Sequence, residues 1–149
     1  MKVMLVCSSG GHLAQLYQLR PWWRQHERTW VTFAGAQADS LLAGETVVPA
    51  YSPTTRNIPN ALRNLGLAVR LIRAERPDVL VSDGAGVAFP FFLVGWALGI
   101  RTIYLEVYDR ISRPTMTGRL CYPLADLFLL QWTEQVASYP GGHVIGCLL

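Results

Sequence analysis

An apolar run, Val3 to Cys7, leads without a break into Ser8-Ser9-Gly10-Gly11-His12-Leu13. Glycine permits the sharp turn, and a helix begun just past it aims unpaired backbone N–H groups at the loop, which suits a phosphate or other anion. The pattern recurs. Val79 to Ser82 reads as a buried strand, Asp83-Gly84-Ala85-Gly86 as a second glycine loop, and Val87 to Gly99 as an apolar helix with Pro90 in its first turn, where proline is tolerated.

Between these units, His12 to about Gln25 has apolar residues at helical spacing (Leu13, Leu16, Tyr17, Leu19) until Pro21 interrupts it. Strands are predicted at Thr29 to Ala34 and Thr46 to Pro49, then an exposed loop over Tyr51 to Pro59. Asn57 to Arg76 returns to helix before Pro77. Arg101 to Glu106 supplies a strand, Pro114 to Leu124 a helix, Asp126 to Gln131 a strand and His143 to Ile145 a last short one. Apolar strands alternating with helices predict one α/β domain over residues 1–149, a doubly wound, mostly parallel Rossmann-like sheet with helices on both faces.

The charged residues narrow the partners. The cations are twelve arginines and one lysine, Lys2; arginine's planar fork suits carboxylate, phosphate and lipid headgroups. Nucleic acid is disfavoured, since the chain has no zinc-finger spacing, helix-turn-helix pattern or basic run interleaved with aromatics. Cys7, Cys121 and Cys147 are odd in number and far apart, which speaks against a disulfide framework, and the three histidines lack metal-ligand spacing. The N-terminus lacks the layout of a secretory signal.

A doubly wound sheet places ligands at the carboxyl ends of its strands. The loops there hold Ser9, Gly10, Gly11 and His12; Asp83, Gly84 and Gly86; and Glu106, Tyr108, Asp109 and Arg110. A histidine and a carboxylate converging on one rim are equipment for acid–base or group-transfer chemistry. Plainer roles stay open: His12 as a helix cap, Glu106 in a surface ion pair with Arg101 or Arg110, the glycines as tight turns. Val87 to Ile100 is too short to span a bilayer. The interfacial candidate is Leu13 to Trp30, where Trp22, Trp23 and Trp30 accompany Arg20, Arg24 and Arg28; Arg20, Trp22, Trp23 and Arg24 are the expected membrane contacts. The alternative is that these tryptophans staple a broken helix to the sheet.

Taken in order, Ser8-Ser9-Gly10-Gly11-His12-Leu13, Ser82-Asp83-Gly84-Ala85-Gly86, Ile103-Tyr104-Leu105-Glu106, Thr117-Gly118-Arg119-Leu120, Ala125-Asp126-Leu127-Phe128 and Gln131-Trp132 run over nearly the whole chain. Together they resemble the acceptor-side, membrane-associated subunit of the two-chain UDP-N-acetylglucosamine transferase of dolichol-linked oligosaccharide assembly, and its bacterial capsule and exopolysaccharide counterparts. More distantly the chain is similar to the amino-terminal half of the peptidoglycan lipid-linked N-acetylglucosamine transferase, a GT-B enzyme of two Rossmann-like domains.

That resemblance implies a half-enzyme. His12 and Glu106 correspond to acceptor-side active-site residues, His12 being the better base, and Ser9, Gly10, Gly11, Asp83, Gly84, Gly86 and Arg110 would border the donor–acceptor cleft. The acceptor would be a lipid-linked sugar. No cofactor or metal is implied; a nucleotide sugar, a UDP-sugar, would be a substrate held mainly by a donor-binding partner subunit, and this chain alone would be inactive. The chain stops near Val144-Ile145-Gly146, where the first domain of such enzymes finishes, and shows no N-terminal anchor, so the resemblance implies peripheral attachment to the cytoplasmic face of a bacterial cell membrane. A non-catalytic anchor that activates its partner, or a stand-alone Rossmann domain, remains open; against the latter, neither G-x-G-x-x-G nor G-x-x-x-x-G-K-[ST] follows a strand.

Overall fold

The computed structural model describes residues 1–148. Strands β1 (Lys2–Val6), β2 (Glu27–Thr32), β3 (Val47–Pro49), β4 (Val79–Ser82), β5 (Arg101–Leu105), β6 (Leu127–Leu130) and β7 (His143–Val144) form one sheet in the order β3-β2-β1-β4-β5-β6-β7. Every pairing is parallel. Chain order reverses between β1 and β4, so the loops after these two strands open side by side at the topological switch point. Both glycine loops stand there.

Helices α4 (Ile58–Glu75), α5 (Ala88–Ala97) and α6 (Met116–Cys121) cover one face of the sheet. Asn57 caps α4 by accepting from the Asn60 N–H at 3.0 Å, and the helix ends at Arg76 in the left-handed region, with Pro77 next. The core on this face is aromatic: Tyr104 stacks on Phe128 at 4.7 Å between ring centroids, and Phe92 meets Tyr104 edge-on.

The second face is covered on one half only. Helices α1 (Gly11–Gln18), α2 (Arg20–Trp23) and α3 (Ala36–Leu41) pack over β1 and β2. Toward β5 and β6 an apolar groove of about 260 Å³ stays open, lined by Leu19, Trp22, Val81, Ile103, Leu105, Leu127 and Leu129. The expected helices on both faces are present, the second layer stopping at the middle of the sheet.

Other departures are local. Strand β2 starts at Glu27 and ends at Thr32, two residues ahead of the expected span, and α3 fills what read as a connection. Pro21 does not end the first helix; the break falls at Leu19, and Pro21 sits in the opening turn of α2, which needs no N–H from it.

Trp23 corrects the membrane assignment. It is 1% exposed, packs edge-on against Trp30 with centroids 5.4 Å apart, and carries the Arg28 guanidinium over its ring at 5.0 Å. Its indole N–H donates to the Leu16 carbonyl. Trp22 is half-buried in the open groove, while Arg20 and Arg24 are exposed. Trp23 and Trp30 therefore staple the broken helix to the sheet.

Glu106 also departs from expectation. It is wholly buried, and its carboxylate accepts from the Tyr139 hydroxyl at 2.5 Å, the Thr115 hydroxyl at 3.1 Å and the Val107 N–H at 3.0 Å. Through these three bonds Glu106 pins the start of α6 and the Tyr139 segment to the end of β5. Gly118 makes the cage possible. A Cβ there would collide with Glu106 Oε2 and the Tyr139 hydroxyl and stand 2.8 Å from Thr115 Oγ1.

Two outcomes follow from this packing. Trp23→Ala should lower unfolding stability by about 3–5 kcal/mol in urea denaturation, the usual cost of emptying a buried aromatic site. Gly118→Ala should cost about 1–3 kcal/mol by overpacking, read as a lower midpoint in the same titration.

Candidate active site

At the switch point the α1 loop and the β4 loop meet through one ion pair. His12 Nδ1 lies 3.3 Å from Asp83 Oδ2 and 3.1 Å from the Asp83 carbonyl oxygen. Asp83 is wholly buried, whereas about a quarter of the His12 side chain, 27%, is exposed. With Nδ1–H directed at Asp83, Nε2 keeps its lone pair for the cavity that His12 lines. Burial opposes charge on the imidazole, but the Asp83 carboxylate, by hydrogen bond and by charge, and Asp109 more weakly, outweigh it and lift the His12 pKa above its ordinary value. Burial likewise pushes Asp83 up to about 6, against the opposing pull of His12.

Local sequence explains why the pair forms. Gly10 adopts φ +79°, so the chain leaves β1 and turns directly into α1. Gln37 on α3 holds this loop by both backbone groups of one residue: Oε1 accepts from the Gly10 N–H at 2.6 Å and Nε2 donates to the Gly10 carbonyl at 3.0 Å. Gly84 adopts φ +110°, and a Cβ on it would stand 2.6 Å from the Tyr104 hydroxyl and 3.5 Å from His12 Cε1. No larger residue fits between the dyad and the aromatic core.

Three buried glutamines lock the surrounding loops together. Gln15, one helical turn from His12, donates to Asp83 Oδ2 at 3.2 Å and accepts from the Tyr108 N–H and from Gln131 Nε2. Gln131 also donates to the Glu106 carbonyl, and Gln135 accepts from the Gln131 N–H while donating to the Val107 and Arg110 carbonyls. Four loops that end four parallel strands are thereby tied into one rim.

The cavity at this rim has a volume of about 620 Å³. Of the residues expected at the cleft, Ser9, His12 and Gly86 line it. Asp83 and Gly84 lie buried under its floor, and Gly10 and Gly11 form the exposed turn beside it. Arg110 is exposed but outside the lining, and Glu106 is sealed in its cage. Sequence reading missed Gln15, Gln37, Gln131 and Gln135, and it missed the far wall, Thr54, Thr55 and Arg56. A usable signal was present for Gln15 alone: an amide set among Leu13, Leu16 and other apolar positions of a short helix.

Comparisons with known proteins bear on the family and the fold. Among curated relatives, the UDP-N-acetylglucosamine transferase subunit ALG14 of Yarrowia lipolytica is 25% identical over 99% of this chain and 81% of its own length. The human protein of the same name is 29% identical over 57% of this chain and 42% of its own. These relatives speak for oligosaccharide assembly and carry nothing for capsule, exopolysaccharide or a bacterial membrane. Solved structures share the fold. MurG of Acinetobacter baumannii superposes with a TM-score of 0.71 at 17% identity, over 87% of this chain and 41% of that one. The UDP-GlcNAc 2-epimerase of Methanocaldococcus jannaschii, in complex with UDP-GlcNAc and UDP, gives 0.74 at 13%, over 98% and 46%. This chain thus spans less than half of each of those proteins. Residues 50–148 match the family described as "Oligosaccharide biosynthesis protein Alg14 like", and the chain belongs to that family.

Proposed function

We propose that this chain is the acceptor-side subunit of a two-component glycosyltransferase, with His12 as the general base. The observation that carries the reading is the His12–Asp83 pair, a histidine that lines a cavity and has one ring nitrogen held by a buried carboxylate, at the switch point of a member of this family. The donor, a nucleotide sugar such as a UDP-sugar, would be gripped mainly by a partner subunit docked across the cleft. The acceptor would be a lipid-linked sugar presented at a membrane surface.

The step proposed is a single displacement at the anomeric carbon. The acceptor hydroxyl oxygen bonds to that carbon, its proton passes to His12 Nε2, and the bond to the nucleotide diphosphate breaks with its electron pair leaving on the phosphate oxygen. Asp83 is a positioning residue here. It fixes the imidazole tautomer and stabilises the imidazolium formed as the proton arrives. Glu106 acts further back, by holding the loop that carries Thr115. Among the described residues no helix is long and apolar enough to cross a membrane; contact with lipid would fall to surface groups.

His12→Ala, assayed with its partner, a lipid-linked acceptor and a panel of nucleotide sugars, should lose about 10²- to 10⁴-fold in kcat while keeping its melting temperature. An unchanged rate would leave the chain as a non-catalytic anchor. The pH profile tests Asp83 separately. His12 works only when neutral, so activity should rise with pH through a step placed above the ordinary imidazole value of about 6.5. Asp83→Asn removes the carboxylate charge that favours imidazolium and leaves only the residue-83 carbonyl and Asp109 against burial, so the step should move to lower pH while maximal kcat falls.

A further inference from the structure

Two buried polar atoms beside Gly84 have their hydrogen bonding unfinished. One is Asp83 Oδ1, the oxygen that neither His12 nor Gln15 touches. The other is the Tyr104 hydroxyl. Both side chains are wholly buried, and among the described residues neither atom has a hydrogen-bond partner. Folded proteins leave few such groups unsatisfied, because each has given up its contacts with water.

The sheet and the aromatic core set where this hydroxyl points. Tyr104 is the cross-strand partner of Ser82, and its ring is clamped between Phe92, edge-on, and Phe128, stacked. A Cβ on Gly84 would lie 2.6 Å from the hydroxyl oxygen and 3.5 Å from Cζ, so the ring reaches toward the dyad with its oxygen leading. His12 Cε1 stands 3.5 Å from the same point.

On its other side the hydroxyl finds groups already engaged. Glu106 accepts from the Tyr139 hydroxyl, the Thr115 hydroxyl and the Val107 N–H. Thr115 gives its proton to Glu106 and accepts from the Gly118 N–H at 2.9 Å. A donor in want of an acceptor and an acceptor in want of a donor are thus left beside one glycine.

We propose that Tyr104 is a positioning residue for the His12 base, its hydroxyl serving Asp83 Oδ1 across one enclosed water and so fixing how strongly Asp83 draws on the imidazole proton. The inference rests on the reading of His12 as the base for its bearing on transfer, and it adds what tunes that base. A single water has the groups required, accepting from the phenol and donating to the carboxylate. A donor on Oδ1 spreads the carboxylate charge and makes it less basic, so His12 sheds its proton at lower pH than it would beside a bare buried carboxylate. Tyr104 itself stays neutral, because burial and the charge of Glu106 both oppose its ionisation. Of the other titratable groups facing the pair, the carboxylates of Glu106 and Asp109 act through space, and the thiols of Cys7 and Cys121 are kept neutral by burial.

NMR titration of the His12 imidazole C–H resonance tests this on the full chain, without a partner. Tyr104→Phe keeps the ring and removes the hydroxyl. The His12–Asp83 pair titrates as a unit. Without the donor it should hold its proton more tightly, moving the step to higher pH by about half a unit or more, roughly threefold in proton affinity. Asp83→Asn moves the step the opposite way, and adding Tyr104→Phe to it should shift the step no further, since no charge is left to share. A hydroxyl without a role in the pair would leave the step unmoved and give Tyr104→Phe a melting temperature at or above wild type. A substitution that only loosened the core would instead lower the step toward the ordinary imidazole value. Either result overturns the proposal. The two readings fail separately: a step that follows Tyr104 stands even if His12→Ala leaves transfer untouched, and a base at His12 stands even if Tyr104→Phe leaves the step in place.

Discussion

Asp83 is a carboxylate out of reach of solvent, and the rest of the rim is organised around the cost of burying it. An isolated buried anion is strongly unfavourable, so the group must be paired, hydrogen-bonded or protonated. Here Gln15 and His12 share one oxygen, and among the described residues the other has no hydrogen-bond partner. The imidazole of His12 is the group that can meet that charge with a proton of its own. The glycine loops follow from that arrangement: Gly10 lets α1 begin where His12 can reach down, and Gly84 leaves room for Tyr104 beneath.

Around the dyad, roles divide by access. The polar side chains that meet the cavity are hydroxyls, one imidazole and one guanidinium, whereas the carboxylate of Glu106 is turned inward and held by Thr115, Tyr139 and Val107. A buried acid that accepts three hydrogen bonds is costly to disturb, because removing any one donor leaves part of the charge uncompensated. The glutamine chain has the same character at lower charge. It joins loops by neutral amide bonds that neither titrate nor compete with an anionic ligand.

Much of this was legible in the chain, for physical reasons that differ by element. The parallel sheet showed because its strands are buried on one or both faces and read as apolar runs, and the glycine loops showed because a strand–turn–helix junction needs positive φ at Gly10 and Gly84. Strand β2 was displaced because Phe33 is as apolar as the strand it follows, and α3 was hidden because Ala36–Leu41 is short and polar on its outer side. Trp23 and Glu106 misled for a shared reason: composition near an expected interface says nothing of which way a side chain turns. The Tyr51–Asn57 strap read as a plain loop because the asparagines that rigidify it, Asn60 and Asn64, lie in the following helix.

The hydrogen bond between Gln15 and Gln131 joins positions 116 residues apart. A chain emerging from the ribosome can lay down β1, α1 and even β4 early, but the amide that steadies Gln15 arrives only when nearly all of the polypeptide has been made. Until then the dyad has no finished frame, and the hydrophobic strands already synthesised must wait, as work for chaperones, for their last neighbour. Quality control in the cell would see an interrupted product of this gene as unfolded long before it could be mistaken for a working part.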